Sequence, residues 1–463
     1  MAREIRINAF AIFSPSHLSA CLWRHPRDRS VHYNELTFWT ELAQIIERGK
    51  FDGLFLADGI SMYRAYGGNS DASVRHGVQF PRLDPLLLVP ALVQVTKHLG
   101  FGVTSSISYE PPYLFARRMT TLDHVSQGRA GWNIVTSFGD DGAQALGGSN
   151  ARPHDVRYDV ADEYMDVVYK LWEGSWEEDA IRKDRAGGVF AVPEKIHDIH
   201  HEGAFFRVAG VNGSEPSPQR TPVLFQAGSS TRGREFAARH AECVFISAPS
   251  KHVVGSVVAD VCRRAALHGR NPRDILCFML LTVIVGRDEA EAKAKLEDYR
   301  RYTSVEGTLT LFSGWTGIDL SKYSPDDPVT YIETQGMQST IEGFTIADPN
   351  RVWTVGEIAQ HGAIGGKGPL LVGSPTQVAD AMQDWLEATD ADGFNLSYAL
   401  MPESFTDFVD LAVPELQRRG VYKTEYRDGT LREKLFGVGR ARLPDTHPAT
   451  AFRRPASTSG VTA

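Results

Sequence analysis

The chain has 463 residues, 42% of them hydrophobic and 23% charged, proportions that exclude a disordered, collagenous or membrane-embedded class. A formal net charge of −8 argues against nucleic acid or an anionic membrane surface as a partner. The longest apolar runs, such as Cys277 to Gly286, are too short to cross a bilayer.

The start, MAREIRINAFAIF, is a charged lead into a strand-like run and lacks a small-residue cleavage site. The four cysteines, Cys21, Cys243, Cys262 and Cys277, show no CxxC spacing. No disulfide framework or zinc site is expected, and the reducing cytoplasm is the expected compartment.

In chain order, short apolar runs alternate with helix-patterned segments, the signature of βα units around a parallel sheet. Ile5 to Phe13 precedes a helix near Tyr33 to Arg48. Asp52 to Asp58 precedes a long loop and a helix from Asp84 to Lys97. Leu99 to Ile107 leads to a helix starting near Pro112, and Arg129 to Ser137 to the helix His154 to Trp172. Pro222 to Gly228 opens a helix at Ser230 to His240, and Ala241 to Ser247 one near His252 to His268. Ile275 to Gly286 is followed by the charged helix Asp288 to Tyr302. Asp392 to Tyr398 comes last, before a helix around Phe405 to Arg418.

Eight strand candidates, each followed by a helix, favour an α/β fold of the TIM (β/α)8 barrel type over an open sheet. The expected organisation is one barrel domain over residues 1–439. Two insertions, about 173–221 and 304–371, are expected in βα loops around the active-site mouth, and 440–463 is expected to be a disordered tail.

A barrel site lies where strands end and helices begin. Those positions hold Asp58 in FLAD, Ser105 in TSS, Asn133 in WNIVTS, and Gly228, Ser229 and Ser230 in QAGSS. His154 and Tyr158, four apart at a helix start, share one face. QAGSS ends a strand in glycine and carries two hydroxyls into a helix whose first N–H groups lack partners. That is an anion-ready arrangement, and helix capping alone explains the serines equally well. Asp58 is read as a hydrogen-bond acceptor for a ligand or as a turn aspartate, and Asn133 as a ligand-facing amide or a satisfied core residue.

The chain has no GxGxxG, Walker A, GxSxG or complete HExxH. The cluster His197, Asp198, His200, His201 invites a metal reading, but no supporting carboxylate pattern accompanies it. The expectation is no metal.

The blocks RGKFDGLFLADG, TLDHVSQGRAGWNIVTS, HDVRYDVADEY, PVLFQAGSSTRGREFAARHAECVF, ADGFNL and VPELQRRG, in this order, resemble the bacterial luciferase-like superfamily. Within it they resemble the branch of nitrilotriacetate monooxygenase component A and dibenzothiophene-sulfone monooxygenase. The resemblance spans about Ile5 to Phe436. It implies a homo-oligomer, dimer or tetramer, that takes FMN as FMNH2 from a separate NAD(P)H:flavin reductase. With O2 as co-substrate, one oxygen atom would pass through a flavin peroxide to a small organic substrate containing sulfur or amine. The flavin contacts it implies are Asp58, Ser105, Asn133, His154, Tyr158, Gly228, Ser229 and Ser230. In the first loop, His17 is the candidate for proton handling or substrate orientation. Tyr63, Arg64, Arg75 and His76 are candidates to meet a carboxylated or sulfonated substrate, or are simply solvated. The competing readings are a deazaflavin-dependent oxidoreductase on the same barrel, a metal-dependent barrel hydrolase and a non-catalytic flavin-binding barrel.

Overall fold

The computed structural model describes residues 4–137, 140–148, 152–228, 230–334, 336–348 and 351–454. Its core is a closed barrel of eight parallel strands: β1 (Arg6–Ile12), β2 (Gly53–Ala57), β3 (Gly100–Ser106), β4 (Ala130–Val135), β5 (Val223–Gln226), β6 (Cys243–Ile246), β7 (Leu276–Val285) and β8 (Gly393–Ser397). The ring closes where Arg6 pairs with Gly393 and Cys243 with Leu276. All eight coincide with the apolar runs. A parallel barrel strand is buried on both faces and so is written as a nearly continuous hydrophobic stretch.

The two faces of each strand feed different cores. Outward residues pack under the helices, as where Trp132 meets Phe115 with ring centroids 4.4 Å apart. Inward, Phe10, Phe55, Phe225 and Phe245 meet edge-on at 4.8–5.7 Å, a favoured aromatic geometry. Gly131 makes room for this plug, since a Cβ there would fall 2.7 Å from a Phe225 ring carbon. The barrel is thus filled below, and open space begins above the phenylalanines.

The insertions differ from each other. Residues 304–371 come after the helix Glu289–Arg300 that follows β7 and end before the helix Pro375–Thr389, and several of them line the barrel-mouth cavity. Residues 173–221 instead follow the helix His154–Tyr169 and its π-turn Lys170–Gly174 and lead into β5. That is an αβ connection, and among the described residues none of this segment lines the main cavity. It forms two hairpins. The second is fastened to the preceding helix by Glu163, which accepts from Phe206 N at 2.7 Å and meets His201 Nε2 at 3.1 Å.

The expected disordered tail is packed as far as residue 454. His447 is buried and its Nε2 donates to the His240 carbonyl at 2.9 Å. Arg440 pairs with Asp274 at 2.6 Å and Arg453 with buried Glu173 at 2.8 Å. The polar, proline-bearing composition that suggested disorder supplies ion-pair partners for charges that the barrel's helices leave open. Residues 455–463 lie outside the described part.

Candidate active site

Above the phenylalanine plug lies a cavity of about 900 Å3 at the C-terminal ends of the strands, large for a small-molecule site. Phe10, Phe55, Phe245 and Leu280 form its floor. Its wall carries polar atoms that no group among the described residues satisfies. Asn133 donates its Nδ2 to Thr104 Oγ1 at 2.8 Å, which leaves its buried Oδ1 without a partner. Gln226, at the end of β5, is equally buried, and its Oε1 is also unmatched. Such acceptors are rare in finished interiors and point to a ligand.

At the adjoining edge, Ser230 caps the helix Thr231–His240 and accepts from Gly233 N at 3.1 Å. His154 reaches Ser230 Oγ with Nε2 at 3.3 Å, and its Nδ1 meets Asp155 at 2.8 Å. With Asp155 accepting from Nδ1–H, Nε2 accepts from the serine hydroxyl. Tyr158 is buried beside them, and burial raises its hydroxyl above the ordinary tyrosine range. A Cβ on Gly228 or Gly233 would come within 2.8 Å of the Tyr158 oxygen, so glycine is what permits this approach. Arg152 and Arg157 line the cavity too, giving the region hydroxyls, N–H groups and cations suited to a phosphate.

Asp58, at the mouth end of β2, also lines the cavity, and burial lifts its carboxyl to about 6. His17 is buried against the Phe10 ring, centroids 4.3 Å apart. Burial drives its imidazole down to about 3, and among the described residues its Nδ1 has no partner. It is therefore neutral at physiological pH, a hydrogen-bonding group rather than an acid. A relay holds this loop. Tyr63 donates to Gln79 Oε1 at 2.8 Å, and Gln79 Nε2 donates to the His17 carbonyl at 3.0 Å.

Of the sequence candidates, the structure gathers His17, Asp58, Asn133, His154, Tyr158, Gly228 and Ser230 around one cavity. Ser105 does not line it. Alternation along β3 turns Thr104 inward, and Ser105 contributes its carbonyl to Trp132 Nε1 at 3.0 Å. Ser229 lies outside the described residues. Tyr63 and Arg64 reach the cavity, whereas Arg75 and His76 face Glu306 at 3.4 and 2.6 Å. Sequence reasoning passed over Thr104, Gln226 and Lys367. Thr104 is in-facing by period-2 alternation with Gly102, a signal present in the quoted strand, whereas Gln226 follows inward Phe225 directly, and alternation does not bring it to the cavity. The histidine cluster divides, with His197 on Glu177 at 2.9 Å and His201 on Glu163. Among the described residues no three His, Cys, Asp or Glu side chains converge as a metal site.

The chain matches the family model described as luciferase-like monooxygenase over residues 12–392. It belongs to that family. Long-chain alkane monooxygenase of Geobacillus thermodenitrificans is 47% identical over 99% of this chain and all of the relative. A crystal structure of long-chain alkane monooxygenase superposes with a TM-score of 0.91, covering 98% of this chain and 100% of that one. Dimethyl-sulfide monooxygenase of Hyphomicrobium sulfonivorans is 45% identical over 98% of this chain and 94% of its own. Nitrilotriacetate monooxygenase component A of Aminobacter aminovorans is 36% identical over 97% of this chain and its full length. The branch inferred from the sequence blocks is therefore the right one, and the chain is a flavin-dependent monooxygenase of this family.

Proposed function

We propose that this monooxygenase takes FMN in its reduced form from a separate flavin reductase and oxygenates a small organic molecule in the cavity above the phenylalanine plug. The observation that carries the reading is the pairing of two unmatched amide oxygens, Asn133 Oδ1 and Gln226 Oε1, with an anion-ready helix start at Ser230 in the same cavity. A flavin needs both, an amide-rich edge for its pyrimidine ring and a polar cradle for its phosphate. The residues present fit FMN. Asn133 and Gln226 would face the ring, while Ser230, His154, Tyr158 and Arg157 would hold the phosphate. The name of the relative that is a component A supports a second, reducing component, as does the absence of a nicotinamide fingerprint in the sequence.

When bound, reduced FMN supplies the two electrons that let O2 be divided between substrate and water. The chain's own contribution is placement and shelter. The phenylalanine floor and the 304–371 insertion exclude water from the reacting volume. Neutral His17, with Nδ1 free to accept, orients a donor on the substrate. Asp58, with its carboxyl lifted to about 6 by burial, is ionised at neutral pH and is a carboxylate in the cavity wall able to take up a proton there. The relatives' names span a thioether, alkanes and an amino-polycarboxylate, and the largely apolar walls here suit a compact organic molecule.

The test is anaerobic titration with reduced FMN, comparing wild type with Asn133→Leu and Ser230→Ala. Removing the amide or the hydroxyl should weaken binding by about tenfold or more, since each is a directed contact in a buried site. Unchanged affinity in both variants would place the flavin elsewhere.

A further inference from the structure

The segment Gly365–Gly368 forms a tight turn in the wall of the cavity. Gly365 and Gly366 adopt positive φ, 86° and 69°. A Cβ on Gly366 would lie 3.2 Å from Leu18 and 3.3 Å from Trp315, and one on Gly368 would lie 2.6 Å from Leu280. The turn is fixed from the first loop, where Gly365 N donates to Ser19 Oγ at 3.0 Å. These close approaches leave one side chain for the turn to present, that of Lys367, which lines the cavity.

Its ammonium donates to Thr340 Oγ1 at 2.9 Å and stands 5.1 Å from the centre of the Trp315 ring. Among the described residues no carboxylate lies within ion-pairing distance of it. Asp58 and Glu333 line the same cavity without pairing with it. An ammonium has three donors, and one hydroxyl satisfies one of them. Its surroundings are otherwise apolar, with Leu18, Leu280 and Trp315 packed around the turn. A half-buried charge without an opposite charge is costly in a finished wall. Burial accordingly lowers its pKa to about 8, so it is still mostly protonated at neutral pH.

We infer that Lys367 is a substrate-recognition residue that selects an organic anion: an apolar body, alkyl or aryl, bearing one carboxylate or sulfonate that pairs with the ammonium while the body lies against Trp315, Leu280 and the phenylalanine floor. The inference rests on this cavity being where the substrate is oxygenated. Lys367 positions the substrate and takes no part in bond making.

The experiment compares matched probes by calorimetric titration of the protein saturated with FMN. Octane-1-sulfonate and octan-1-ol share a chain and differ in charge. Wild type should bind the sulfonate about tenfold tighter or more, Lys367→Arg should keep the preference, and Lys367→Met and Lys367→Gln should lose it with octanol affinity within about twofold of wild type. Equal binding of the two probes by wild type, or a preference that survives in both neutral variants, overturns the inference. FMN affinity is read in parallel. A loss of FMN binding in the neutral variants with the probe preference intact assigns Lys367 to the cofactor and also overturns it. If wild type fails to bind FMN, the titrations are run without it. A charge preference that then disappears in the neutral variants keeps the anion subsite and removes the flavin reading.

Discussion

Asp58 ends β2 with its carboxyl in the cavity wall, where loss of hydration raises its pKa from 3.8 to about 6, only partly offset by the Gly59 N–H and Arg82. The folded protein thus holds a proton that the unfolded chain has released between roughly pH 4 and pH 6. Stability contributed by this group therefore falls as pH rises through that window, and the penalty is complete above it. Asp58→Asn removes the charge at constant shape. It should stabilise the protein by on the order of 1–2 kcal/mol at pH 8 and by nothing at pH 3.5, read from urea midpoints at the two pH values. An equal effect at both would show that the carboxyl titrates normally. The same residue scale explains what the sequence concealed. Asp58 and Asn133 were legible because strand ends are enumerable, but Ser105 and Thr104 differ by one position, and which hydroxyl faces inward depends on strand phase.

The eight barrel strands were legible because double burial writes them as apolar runs. The strand Leu370–Gly373, which extends the sheet beside the far end of β7, was not. It is short and only half-buried, so its composition resembles the loop before it. The helix Pro375–Thr389 did carry a signal, a capping box from Ser374 to Gln377, that a search for caps would find. Around the mouth, separate elements are joined by a relay that spacing does not reveal. Cys21 Sγ lies 3.1 Å from His76 Nδ1, and His76 Nε2 lies 2.6 Å from Glu306 Oε2. With Glu306 accepting from Nε2–H, Nδ1 accepts from the thiol. The relay ties the first loop, the short helix Asp71–His76 and the helix Val305–Thr316, all of which flank cavity-lining segments. Glu306→Ala should release the loop between β2 and Pro85. Amide exchange in residues 59–82 and 305–316 should accelerate several-fold while the barrel strands keep their protection. Uniform acceleration across the chain would mean the relay supports the whole fold, and no acceleration that it holds nothing.

At the scale of the molecule, function occupies one end of the barrel and the C-terminal segment secures the other. Arg432, from the helix Leu431–Phe436, is almost fully buried and pairs with buried Glu242 through Nε at 2.7 Å and Nη2 at 3.0 Å. It also donates to the carbonyls of Thr221 at 2.8 Å, Pro222 at 3.1 Å and Ala441 at 2.9 Å. Glu242 in turn accepts from Leu224 N at 3.0 Å. One guanidinium therefore joins the entry to β5, the entry to β6 and the C-terminal segment, at the opposite end of those strands from the cavity. A buried pair of this kind gains little over an apolar substitute, yet breaking it strands a charge. Arg432→Met should cost about 3–5 kcal/mol, and adding Glu242→Leu should return much of that loss, both measured by urea unfolding. Reduced-FMN affinity in the folded double variant should match wild type, because no cavity residue has moved. A double variant as unstable as the single one would mean that the carbonyl contacts, rather than the ion pair, hold this end of the barrel together.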